Sequence, residues 1–272
     1  MRPFFENNVL QQQPFKPMMI IVVDTTKAGS ASNTFVLPII KAASETVKIY
    51  WGDGTNSIGV NGDNTHVYAA SGVYTVKIES KVFGGIYFNN GGDKAKITKV
   101  VSFGHGVIRS LATSFYGCNS LLSIDIGDIV SNGADASNMY RGCTALTSVP
   151  LFNVSNVTNA YAMFYQCTSL TSIPLFDLSK CTNVRSMLAF CPLETVPLFD
   201  LSSVTDATSM FIGCNSITTQ SYSDFLINLA TLSLKSGVSF HGGNSKYNTA
   251  GGVARAYIIS NFGWTITDGG AA

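Results

Sequence analysis

The groups in this 272-residue chain that can ligate a metal, attack a carbon or carry a proton are few: six cysteines, three histidines and sixteen acidic residues. The cysteines are Cys118, Cys143, Cys167, Cys181, Cys191 and Cys214. A zinc site draws its thiolates from close Cys-x-x-Cys pairs, and none occurs. Five of the six instead recur in steps of 25, 24, 24 and 23 residues. They mark one position of a repeat, where a small buried hydrophobe is the expected role. His105 in Gly-His-Gly and His241 in Phe-His-Gly-Gly have no acidic or thiol partner at a recognisable spacing. His66 reads as a residue that packs and hydrogen-bonds between strands. Asp53, in Trp-Gly-Asp-Gly-Thr, and Asp63, in Asn-Gly-Asp-Asn, invite calcium. However, no Asp-x-Asp-x-Asp-Gly loop follows either, and a turn aspartate that accepts backbone N–H groups is the competing reading. There is no nucleophile elbow, P-loop, His-Glu-x-x-His or dinucleotide fingerprint. The expectation is therefore a protein without catalytic residues, metal or cofactor.

The cysteines lead to the elements that place them. Aligned on them, the chain reads SFYGC, NMYRGC, AMFYQC, SMLAFC and SMFIGC. An apolar pattern follows each of the first four, starting at Leu121, Leu146, Leu170 and Leu193. Four copies of L-x-x-L-x-L-x-x-L at a period near 24 signal a stacked repeat. The L-x-L piece suits a strand with alternate residues inward. The segment after it, such as VTNAYAMFYQC, suits a helical return. Cys181 falls on an apolar repeat position shared with Val157 and Val204, which accounts for the sixth cysteine without a disulfide.

These units resemble the BspA-type leucine-rich repeats, and MFYQCTSLTSIPLFDLSKCTNVRSM is nearly one full unit. The resemblance spans about 98–218 and implies a leucine-rich-repeat solenoid. Such units cannot bury their apolar faces alone, so the array needs caps. Ser221–Leu234 and Ala250–Ser260 read as helices and Trp264–Thr267 as a final strand, giving a C-terminal cap over 219–272.

Residues 17–97 follow a different rhythm. MMIIVVDTT, TFVLPI, TVKIYW and VYTVKIES alternate with period two between Gly, Asn and Ser clusters, which suggests a sandwich. Tyr50-Trp-Gly-Asp-Gly-Thr55, His66-Val-Tyr68 and Gly72-Val-Tyr-Thr-Val-Lys-Ile78 resemble a PKD-type domain in order and spacing. That resemblance implies an immunoglobulin-like module used as a spacer or docking surface. The fold expected is mainly β with short helices: an immunoglobulin-like β-sandwich, a leucine-rich-repeat solenoid and an α/β C-terminal cap.

Two features could make contacts. Residues 1–16 read as an arm, either a disordered leader or a docking segment whose Phe4, Phe5 and Phe15 insert into a partner. Pro150, Pro174 and Pro197 align between repeats, as do Phe152, Phe176 and Phe199. With Val149, Leu151 and their equivalents inward, strand alternation turns the Pro and Phe residues outward into an apolar stripe, an interaction signal. The alternative is that the Phe rings turn inward and fill the core.

Composition narrows the function classes. With 17 basic against 16 acidic residues, the net charge of +1 argues against an electrostatic nucleic-acid binder. At 46% apolar and 12% charged, the chain is no disordered segment. Its first apolar run, Met18–Val23, is shorter than a signal-peptide core or a membrane span, so no export signal and no membrane insertion is expected. BspA-type repeats and PKD modules resemble surface adhesion machinery. The expectation is a non-enzymatic virion protein of a phage, a head decoration, a fibre or a tail-associated receptor-binding protein. Residues 1–16 and the sandwich would dock it on other virion proteins, and the repeats would face a host glycan or protein. Homo-oligomers are compatible with this plan. The rival readings are a bacterial cell-surface adhesin, a carbohydrate-active enzyme with a PKD accessory module, and a purely internal assembly protein with no receptor.

Overall fold

The computed structural model describes residues 18–80, 82–104, 107–108, 110–125 and 135–272. Phe4, Phe5, Phe15 and His105 lie outside these residues. The fold is mainly β with two helices. The strands of the first half are β1 (Met18–Asp24), β2 (Thr34–Ile40), β3 (Lys48–Tyr50), β4 (Asn56–Ile58), β5 (Gly62–Val67), β6 (Val73–Glu79), β7 (Val82–Phe83), β8 (Gly85–Ile86) and β9 (Ile97–Ser102). β10 (Val107–Ile108) and β11 (Ser123–Ile124) follow. Helix α1 (Thr219–Ala230), β12 (Ser239–His241), α2 (Thr249–Phe262) and β13 (Thr265–Thr267) close the chain.

Two sheets enclose the first core. The larger runs β11-β9-β1-β6-β3-β4 and the smaller β5-β2-β8. Period-two patterning explains the faces: Met19, Ile21 and Val23 of β1 point inward, as do Phe35, Leu37 and Ile39 of β2. β9 pairs antiparallel with β1 through two register shifts, so its buried residues Ile97 and Val100 stand three apart. Its other edge pairs in parallel with β11, so one sheet runs from the first half into the repeats.

A buried ion pair ties this junction. Lys96 is fully buried, and its Nζ donates to the carbonyls of Ser30, Ala31 and Thr34 and to Ser30 Oγ. Asp93 lies 3.6 Å from that nitrogen and accepts from Ser30 N, Ser30 Oγ and Val36 N. A charge buried this deeply persists only when its donors and acceptors are all engaged.

The repeats stack, but not as the leucine-rich-repeat solenoid expected from the spacing. Among the described residues, Ser123–Ile124 is the only piece of the L-x-L segments that forms a strand, and no helix returns between repeats. Most of the inter-repeat backbone bonds lie in the segments that precede the cysteines. There, alternate N–H groups reach the next repeat: those of Ala136, Asn138, Tyr140 and Gly142 donate to Asn159, Tyr161, Met163 and Tyr165 at 2.8–2.9 Å. The intervening N–H groups fold back three residues, as Met139 to Ala136 and Cys143 to Tyr140. Every fourth residue is left-handed, which no helix tolerates: Thr113, Asn138, Ala162, Ser186 and Ser209, then Gly117, Gly142, Gln166, Phe190 and Gly213. From Thr113 to Phe190, the N–H groups of these left-handed residues are thereby paired inside the stack.

Side chains stack in register. Phe115, Tyr140 and Phe164 have centroids 5.5 Å apart and nearly parallel rings. Four of the six cysteine thiols donate to a carbonyl of the preceding repeat: Cys143 to Phe115, Cys167 to Tyr140, Cys191 to Phe164 and Cys214 to Leu188, at 3.0–3.2 Å. At the far end, β12 adds a parallel rung through Ala207–Phe240, and β13 pairs in parallel with β12. The helices begin at side-chain caps, Thr218 for α1 and Asn248 for α2.

Candidate functional site

The apolar stripe anticipated between repeats exists, but different residues form it. Phe152, Phe176 and Phe199 are buried, while Leu151, Leu175 and Leu198 are 64%, 56% and 47% exposed. The expectation of outward Phe and inward Leu assumed an extended strand. Pro150, Pro174 and Pro197 instead bend each segment, and in the last the Phe199 N–H folds back onto the Pro197 carbonyl at 2.9 Å. Inward residues therefore stand three apart, Val149 and Phe152, not two. The rings of Phe152 and Phe176 pack 4.7 Å apart in the core, and the prolines stay half-buried at the rim.

The leucine stripe runs into a groove of about 610 Å³ where the last repeat meets α1. Leu198 and Ile227 supply its apolar wall, and Thr195, Gln220, Asp224 and Asn228 its polar one. Ile227 is 38% exposed. The groove has fixed walls: Ser221 Oγ accepts the Val196 N–H at 2.8 Å, and Asn228 donates to the Phe199 carbonyl at 3.0 Å. Such a surface can take up apolar side chains of a partner and hydrogen-bond their backbone.

The residues with chemical potential are engaged elsewhere. Asp53 Oδ1 accepts from the N–H and hydroxyl of Thr55 at 3.0 and 2.6 Å, and Oδ2 lies 2.7 Å from His66 Nε2. Burial works to raise the Asp53 carboxyl, but the hydrogen bonds of Thr55 and His66 and the His66 charge outweigh it and hold the carboxyl at about 2. His66 stacks flat on Trp51, edge-on to Tyr68, whose hydroxyl donates to the Trp51 carbonyl. This is a clip that joins a turn to a strand. His241 Nδ1 accepts the Gly243 N–H, and Asp63 is exposed on β5. Asp177 and Asp200 each accept the N–H two residues on, as does Asn153 in the preceding repeat. Among the described residues, no three His, Cys, Asp or Glu side chains converge into a group able to hold a metal.

All six cysteines are buried and free. Burial pushes the thiols of Cys118, Cys143, Cys167, Cys181 and Cys214 upward, and contact with the Cys167 thiol is the larger cause at Cys191. None is poised as a thiolate. Two things escaped the sequence reading. One is the row Asp135, Asn159, Asn183 and Asp206, whose side chains accept the N–H two residues on and whose backbones bridge from repeat to repeat. Aligned Asp and Asn at a 23–24-residue step was the available signal. The other is the Lys96–Asp93 pair, for which no spacing rule gives a signal.

Comparison with known proteins adds one similarity. Residues 109–225 match the family described as "Mycoplasma protein of unknown function, DUF285". No curated protein and no solved structure matches. The match corrects the family readings drawn from the motifs: the repeats are similar to DUF285, without a leucine-rich-repeat solenoid, and no PKD domain is shown over 17–97. No helix among the described residues is long and apolar enough to cross a membrane.

Proposed function

We propose that this chain is a non-enzymatic structural and adhesive protein whose repeat stack is its contact surface. In the setting favoured here it is a virion component, a head decoration or fibre or a tail-associated receptor-binding protein. It is held on other virion proteins by its N-terminal segment and sheets. The observation that carries the reading is the row Leu151, Leu175 and Leu198 leading into the groove beside Ile227: side chains a protein normally buries, aligned in water on a rigid frame. A second setting, the surface of a bacterial cell, is favoured by the similarity to a family described from Mycoplasma.

Mass spectrometry of purified particles beside host envelope fractions separates the settings. Abundant peptides in particles are the expected result; enrichment in the envelope fraction moves the protein to the second setting, and depletion from both overturns the reading. Leu175→Asp tests the surface itself. The side chain is more than half exposed, so the fold should persist while adherence falls about tenfold, the loss expected when one apolar contact of about 1.4 kcal/mol is removed. Unchanged adherence would remove the stripe from the proposal.

A further inference from the structure

We infer that a second face of the repeat stack, built on Arg141 and Phe190, binds an acidic glycan, with a sugar carboxylate on the guanidinium and a sugar ring on the phenyl face. This deepens the adhesive reading and rests on it for its biological meaning, but not on the leucine stripe.

The residue before each repeated cysteine is Gly117, Gly142, Gln166, Phe190 or Gly213, and all five have positive φ, from 59° to 81°. Three are glycine, the residue for which this conformation is free of strain. Phe190, at 62°, is the bulky exception. Its ring is not core filling, since the residue is 42% exposed. It lies over Gly213, where any Cβ would strike Phe190 Cδ1, and meets Tyr165 edge-on at 5.5 Å. A strained backbone that holds an aromatic face in water, over a glycine that makes room for it, points to a use outside the fold.

One column over stand Tyr116, Arg141 and Tyr165. The Arg141 guanidinium is sandwiched between the two tyrosine rings, 5.1 and 4.7 Å from their centroids, and donates to Asn138 Oδ1 at 3.2 Å. Stacking fixes the plane of the fork, and no carboxylate of the described residues pairs with it. Lys94 extends the positive flank. Its Nζ donates to the carbonyl and side chain of Asn90, beside Gly117, and no carboxylate of the described residues pairs with it either.

The ligand class follows from these groups. A planar, pre-oriented guanidinium binds a carboxylate through two parallel hydrogen bonds. An exposed ring accepts the C–H face of a pyranose, whose partly positive hydrogens meet the negative π face. Asn90 and Gln166 are exposed amides that can bond hydroxyls. A peptide adding as a strand would need free backbone groups, but the Gly142, Gln166 and Phe190 N–H groups are spent on the next repeat. Nucleic acid would need a broader basic surface than two cations provide.

Isothermal titration of the full chain with oligogalacturonate and with sialyllactose tests this, against neutral galacto-oligosaccharide and a poly-glutamate peptide. Binding of at least one carboxylated sugar is expected, weakening with salt and absent with the two controls. Arg141→Gln should weaken it by about tenfold or more, and Arg141→Lys should restore only part because the fork is lost. Phe190→Gly should weaken it similarly without lowering the unfolding midpoint, because glycine already serves this position in three repeats. The inference is overturned if neither carboxylated sugar binds at millimolar concentration, if poly-glutamate or the neutral sugar binds as well, or if either variant keeps wild-type affinity. None of these results alters whether the chain is found on particles, so its failure is distinct from that of the adhesive reading.

Discussion

Single residues here do work that their types conceal. Lys96 looks like a surface lysine in the run DKAKITK, yet it spends its charge on three carbonyls and a hydroxyl inside the protein. Lys96→Met removes the cation, leaves the buried Asp93 carboxylate without its counter-charge and strands those carbonyls. It should cost about 3–5 kcal/mol of unfolding free energy, read from denaturant titration. A loss under about 1 kcal/mol would mean that water replaces the ammonium. The cysteines show the same gap between type and task. Their burial was legible from their period; that four of the thiols bond a carbonyl of the repeat before was not, because a donor's partner depends on where the neighbouring coil lies.

At the scale of elements, the outcome turned on backbone conformation more than on hydrophobic pattern. The spacing Ala160, Met163, Phe164, Cys167 satisfies a helix, and the sequence reading accordingly expected one. Left-handed residues at every fourth position exclude it. Gly117, Gly142, Gly213 and Asn138 were traces of this, but Ala162, Ser186 and Phe190 adopt the same conformation without announcing it. The Pro-Leu-Phe segments failed for a related reason: period-two reasoning holds only in an extended strand, and the prolines bend the chain. Helix α1, with Phe225 and Leu229 four apart and both buried, and strands β1, β2, β3 and β6 were legible because local pattern and tertiary demand agree there; α2 also formed where expected, although Val253, Tyr257 and Ile259 on it are exposed. The turn between β3 and β4 makes an element-scale prediction. Asp53 has a folded value near 2 against 3.8 unfolded, so its contribution is complete above about pH 4 and is lost as the pH falls through 2. Unfolding midpoints measured from pH 5 to pH 2 should decline, and Asp53→Asn should be less stable at pH 5 with a shallower decline. Parallel pH curves for the two proteins would show that the clip contributes nothing.

For the whole molecule, the two halves share structure at residues 97–124, where β9 serves the β1 sheet on one edge and β11 on the other. The far end is sealed by α1, α2 and the two short strands. Phe211, of the last repeat, meets Phe225 and Phe240 of this seal edge-on at 5.5 and 5.8 Å. A chain ending at Ile217 would expose Phe211 and Cys214, both fully buried in the intact protein. The exposed Phe211 ring alone would forfeit about 1.5–3 kcal/mol of burial. Loss of soluble monomer by size exclusion and gain of a hydrophobic-dye signal are expected. A truncated chain that stays monomeric with an unchanged unfolding midpoint would show that the repeats are self-sufficient.

The alternating backbone pairing between repeats has a further consequence. Each coil presents to the coil above the same donors and acceptors that it receives from the coil below, so a coil is an interchangeable unit. The copies differ in length by up to two residues, 25, 24, 24 and 23 between cysteines, without loss of rung alignment. Gain or loss of one unit in frame would therefore lengthen or shorten the leucine row by one side chain, about 4.8 Å, and leave both ends untouched. The protein is in effect a ruler with fixed graduations: its reach changes by whole coils, while what it presents at each mark changes by point substitution.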